Sequence, residues 1–101
     1  MVFAVEKPPA HIFNKNLELG DSGDEVAHLQ TRLIELGFSI PLIESGVALK
    51  GYYGKETRAA VFKFQVDNFF MTLKEIGYFG RYFGPRTRVA LNSVVWLSYY
   101  N

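Results

Sequence analysis

The chain has 101 residues, 49% of them hydrophobic and 21% charged, with a formal net charge of +1, which suits one small domain with a packed core and excludes a disordered polyelectrolyte. It has no cysteine, so disulfides, thiolate metal sites and a Cys nucleophile are excluded. No apolar run approaches the roughly 20 residues that cross a bilayer, and a near-neutral balance gives no general attraction to nucleic acid, so neither membrane insertion nor a nucleic-acid partner is expected.

The first residues, "MVFAVEKPPAHIF", lack the basic start and small-residue cleavage site of a signal peptide. With Pro8-Pro9 among them, residues 1–16 are expected to be a linker or N-terminal extension and residues 17–101 the domain. An export signal and any catalytic domain would then belong to a parent protein.

Next come Gly20-Asp21-Ser22-Gly23, the four letters found around the nucleophilic serine of chymotrypsin-like proteases. A triad is defined by geometry and needs a His base with an Asp to orient it. The chain has only His11 and His28, and no second glycine follows Gly23 to supply an oxyanion hole. Ser22-Gly23-Asp24-Glu25 fits a capping box better, with Ser22 and Glu25 exchanging hydrogen bonds at a helix start and two acids at the positive end of the dipole. Val26, Leu29, Leu33 and Leu36 then form one helical stripe, closed by Gly37 as a left-handed C-terminal residue.

Two stretches repeat. "YYGKETRAAV" from residue 52 and "YFGPRTRVAL" from residue 82 share glycine, threonine, arginine and alanine at equal positions. Each predicts a turn carrying an aromatic residue, then glycine, then a helix, and Pro85 suits a first helical position. Val26, Leu29 and Gln30 reappear as Val61, Phe64 and Gln65. The middle helix, residues 55–68, carries Ala60, Val61 and Phe64 on one side and Phe62, Val66 and Phe69 on another, a pattern that predicts neighbours all round. The last helix, residues 85–97, carries Ala90, Leu91, Val94 and Leu97. Three helices sharing one core predict an all-α fold, a small three-helix bundle. Its connections, residues 39–53 and 70–83, are long, and loops of that length carry function or a short extra element.

In this order the blocks resemble the peptidoglycan-binding domain of the PGBD-like three-helix family. Leu17, Gly20, Gly23, Val26, Leu29, Gln30, Leu33, Gly37 and Phe38 fit its first block. Gly51, Tyr53, Gly54, Thr57, Ala60, Val61, Phe64 and Gln65 fit its second, and Phe83, Gly84 and Thr87 fit its third. The chain departs from the family in its two longer loops and in Arg81, which stands where the third block's leading glycine belongs. The resemblance implies a non-catalytic module that binds bacterial cell wall, by glycan strand or stem peptide. It implies a location in the cell wall, periplasm or extracellular space, and a catalytic domain as companion in the parent protein. Domains of this kind also serve as interaction modules or pro-segments, and that reading stays open.

Most motif residues have core or turn duties. Gln30 and Gln65 are expected to bond loop backbone rather than ligand. The candidate ligand contacts are Tyr52, Arg58, Tyr78, Arg81, Tyr82 and Arg88. A tyrosine face suits a sugar ring, and an arginine fork suits a carboxylate. Phe79 neighbours them, and "WLSYY" at residues 96–100 is expected to pack back on the core or offer a second surface. Residues 1–49 carry three Lys or Arg against seven Asp or Glu, and residues 50–101 eight against three, so the candidates fall in the basic half. Two histidines far apart in sequence make no zinc site, and the acids near residue 24 serve the helix start. No metal, cofactor or catalytic residue is expected, and the chain is expected to be a monomer.

Overall fold

The computed structural model describes residues 11–67 and 78–100, with side chains up to residue 93. The expectations for Phe69, for most of the second connection and for the side chains of Val94, Leu97 and residues 96–100 lie outside the described residues. In chain order the elements are β1 (Leu17–Glu18), α1 (Asp24–Glu35), α2 (Pro41–Glu44), α3 (Lys55–Val66), β2 (Tyr82–Phe83) and α4 (Pro85–Tyr100). Among the described residues, three long helices and one short one make the expected all-α bundle.

Its core takes Val26, Leu29 and Leu33 from α1, Ala60, Val61 and Phe64 from α3, and Leu91 from α4. Tyr53 and Phe83, the repeated aromatics, are fully buried where the turns enter α3 and α4. The long first connection holds α2, which seats Ile40 and Ile43 in the same core. Glu44 closes that short helix on itself, its carboxylate accepting from Ser39 Oγ at 2.7 Å and Ile40 N at 2.8 Å. Gly37, with φ of 95°, ends α1 as expected. The Phe38 amide donates to the Leu33 carbonyl and the Gly37 amide to that of Ile34, the paired bonds of a Schellman cap.

β1 and β2 pair antiparallel, with Leu17 opposite Phe83 and Glu18 opposite Tyr82. Beside them Ser22 forms an isolated bridge with Tyr52. Both repeated turns are therefore stitched to the strand-like segment that precedes α1.

Two expectations need correction. The capping box does not form. Gly23 is the N-cap and makes no side-chain cap bond, because the Ser22 backbone is committed to Tyr52 and both Glu25 carboxylate oxygens lie 3.1 Å from His11 Nε2. The segment before residue 17 also packs on the helices, at Phe13 and His11. Phe13 is a core residue, its N–H donating to Asn92 Oδ1 and its carbonyl accepting from Asn92 Nδ2, each at 2.9 Å. His11 belongs to the fold too, stacked on His28 with ring centroids 4.0 Å apart. The second face of α3 is not enclosed, since Phe62 is only half-buried and Val66 is exposed.

Candidate functional site

Two buried glutamines hold the repeated turns. Gln30 Nε2, on α1, donates to the Tyr52 carbonyl at 2.9 Å and to Thr57 Oγ1 at 2.8 Å, while its Oε1 accepts the Gly51 N–H at 2.7 Å. Gln65, on α3, repeats the pattern one unit later, donating to the Tyr82 carbonyl at 2.7 Å and to Thr87 Oγ1 at 3.1 Å. The third bond is missing. Arg81 stands in the place of Gly51, and its amide donates to the Tyr78 carbonyl at 3.0 Å instead, leaving the buried Gln65 Oε1 without a partner. Gly51 holds a φ of 90° to reach its glutamine, a conformation that disfavours a residue with a Cβ.

The diverted amide shapes the turn over residues 78–82. Its backbone is anchored by the Leu19 amide, which donates to the Arg81 carbonyl at 2.8 Å. Its far side presses on α3: a Cβ at Gly80 would collide with the Arg58 carbonyl oxygen and lie 2.8 Å from Phe62 Cβ. The Tyr53 hydroxyl donates to the Gly80 carbonyl at 2.6 Å. Burial, and after it the charge of Asp21, push the Tyr53 phenol well above its ordinary range, against a smaller opposing effect of Arg58.

On the outer side of this turn is an open groove of about 440 Å³ lined by Glu18, Leu19, Tyr78, Arg81 and Tyr82. Tyr78 is 47% exposed and meets Tyr82 edge-on, ring centroids 6.3 Å apart. The Tyr82 hydroxyl accepts from Asn16 Nδ2 at 3.1 Å, and Arg88 Nε donates to Asn16 Oδ1 at 2.9 Å. Two tyrosine rings set edge to face, a guanidinium and a carboxylate thus share one shallow depression. That set can stack a ring and hydrogen-bond its hydroxyl or amide groups.

A second groove, about 420 Å³, is lined by Lys55, Arg58, Ala59, Phe62 and Phe79. Arg58 Nε donates to the Phe79 carbonyl at 3.0 Å, and the Phe62 and Phe79 rings meet at 5.6 Å. Among the described residues, no cluster of three or more His, Asp or Glu could hold a metal ion, and no helix is long and apolar enough to cross a membrane.

Residues 22–70 match the model of the peptidoglycan binding domain family. That match supports a peptidoglycan-binding domain of the PGBD-like family in this chain. Comparison with curated proteins and with solved structures gives no significant match.

In this peptidoglycan-binding domain the family motif is largely consumed by the fold. Gln30, Gln65, Thr57 and Thr87 are buried in the clamps, and Leu29, Val61 and Phe64 are core. The six residues singled out from sequence are divided. Tyr78, Arg81 and Tyr82 come together in the first groove, and Arg58 lines the second. Arg88 lines neither, and instead steadies Tyr82 through Asn16. Tyr52, 45% exposed, lines neither, and its backbone serves Ser22 and Gln30. Sequence reasoning missed Glu18, Leu19 and Asn16. Glu18 and Leu19 adjoin a motif leucine, and only the pairing of β1 with β2 brings them to the turn.

Proposed function

We propose that the domain is a non-catalytic module that holds a parent protein on bacterial peptidoglycan, outside the cytoplasm, through the groove of Glu18, Leu19, Tyr78, Arg81 and Tyr82. The observation that carries this reading is the Tyr78–Tyr82 pair beside the Arg81 side chain, on a turn whose backbone is held by Tyr53, Gln65, Leu19 and Arg58. Preorganised aromatic walls of this kind suit sugar rings, whose apolar faces stack while their hydroxyls bond outward. In keeping with this reading, the Ser22 backbone bridges to Tyr52, and the two histidines stack on each other beside Glu25. One open groove gives modest affinity, and avidity comes from a polymer presenting many copies to a tethered protein.

A second reading, docking onto another domain of the same parent, is favoured by one observation. Val47 and Leu49, after α2, are each 75% exposed, with Leu42 beside them in the chain partly so. Co-sedimentation with purified, protein-free sacculi separates the two readings. A wall-binding module pellets with sacculi on its own. An interaction module stays in the supernatant and is retained only by the parent domain.

A further inference from the structure

We propose that the groove of Lys55, Arg58, Ala59, Phe62 and Phe79 is a second subsite, one that takes a free carboxylate carried on a small apolar group. It deepens the peptidoglycan reading and rests on it for the source of the ligand, since wall stem peptides end in such a group.

The charge in this groove is one-sided. Lys55 is exposed at the first turn of α3 and has no ion pair among the described residues. Arg58 spends its Nε on the Phe79 carbonyl, which fixes the plane of the guanidinium and leaves its terminal nitrogens for another acceptor. No acidic side chain lines the groove. Two cations with no acid among the lining residues favour an anion, and an oriented guanidinium presents parallel N–H groups to a planar carboxylate.

The remaining walls are apolar, and one is held at a cost. Phe79 takes a φ of 52°, in the left-handed region, where a bulky residue is strained. Its ring nevertheless stays 56% exposed, edge-on to Phe62. Gly80 explains the geometry, because its contact with the Arg58 carbonyl and Phe62 pins the turn on α3 and leaves Phe79 arched over the groove. A strained, exposed aromatic beside an unpaired lysine and the terminal nitrogens of a guanidinium is what an anion with an apolar neighbour would use. A bare phosphate would gain nothing from Phe62 and Phe79. The turn over residues 78–82 lines both grooves, so one wall fragment would meet an aromatic wall for its sugar and a cationic shelf for its peptide end.

The test is titration of the isotope-labelled protein with N-acetyl-D-alanyl-D-alanine, its C-terminal amide and inorganic phosphate, followed by backbone amide shifts. The free acid is expected to move amides around Lys55, Arg58, Phe62 and Phe79, with the C-terminal amide and phosphate each binding at least about tenfold more weakly. Lys55→Gln should weaken the free acid about fivefold. Phe79→Asn, which keeps a residue tolerant of left-handed backbone, should weaken it by a similar factor. Equal binding of acid and amide, a match by phosphate, or shifts confined elsewhere would overturn the subsite. If the protein pellets with sacculi while the dipeptide is silent, the subsite alone fails; if it does neither, the peptidoglycan reading fails with it.

Discussion

Gln65 donates its side-chain N–H to the carbonyl of Tyr82 at 2.7 Å, so a fully buried amide on α3 fixes the backbone of a residue whose ring lines the first groove. Gln30 does the same for Tyr52 but also accepts the Gly51 N–H. Replacing either by leucine strands buried polar groups, at about 1–3 kcal/mol each. Gln30→Leu is therefore expected to lower the denaturation midpoint more than Gln65→Leu. Equal losses in urea titrations would show that the third bond of Gln30 carries no weight.

Arg81 separates binding from stability. Arg81→Gly would allow the backbone at 81 to adopt the φ that Gly51 uses and satisfy Gln65 Oε1. The gain of about 1 kcal/mol from a satisfied acceptor offsets the conformational entropy cost of a glycine, about 0.5–1 kcal/mol. Thermal melting is expected to show Tm unchanged or raised, while sacculus retention falls. A large drop in Tm would mean that the arginine is structural.

Gly80 is the tight point between turn and helix. Gly80→Ala puts a methyl into the Arg58 carbonyl at a φ of 87°, and a loss of roughly 3 kcal/mol or more is expected from the combined clash and strain. Chemical denaturation of the variant gives the figure, and a change below about 1 kcal/mol would contradict the packing described.

Tyr53 sets an alkaline limit. Its phenol is raised in the folded state above the ordinary value of 10.0, so the folded protein keeps a proton that the unfolded chain releases. The stabilisation is complete below pH 10 and declines as pH climbs beyond it. Tyr53→Phe should cost about 1 kcal/mol at neutral pH through the bond lost to the Gly80 carbonyl, and should flatten the alkaline decline. Parallel declines in both proteins would rule Tyr53 out as its cause.

We propose that the domain extends before residue 17, because Phe13 is buried in the core. Phe13→Ala is expected to cost about 3–5 kcal/mol, and a chain beginning at residue 17 should lose the same anchor together with its Asn92 clamp. Full stability in that shortened chain, measured by circular dichroism melting, would place the boundary at residue 16.

What the sequence revealed follows from how each interaction is encoded. The core stripe of α1, the Gly37 cap and the paired glutamines were readable because helix period, positive φ and internal repetition leave local marks on the chain. Phe13 was not, since it follows two prolines with no periodic partner and reaches the core through Asn92, far along the chain. Ser22 and Glu25 misled because their local pattern suits a cap, while tertiary partners, Tyr52 and His11, claim the same groups. In the candidate site, Tyr78, Arg81 and Tyr82 stood out as aromatic and cationic residues without core duty. Glu18 and Leu19 join them only through strand pairing, and the Arg88–Asn16–Tyr82 link spans a sequence distance that no motif records.

The most direct test of the proposed wall-binding groove is co-sedimentation with protein-free sacculi of the chain and of a Tyr78→Ala, Arg81→Ala variant, at low and high salt. The account predicts that the chain pellets at both, because stacking survives where screened charge attraction does not, and that the variant stays in solution with its helical spectrum intact. A variant that pellets as well as the parent chain would contradict it.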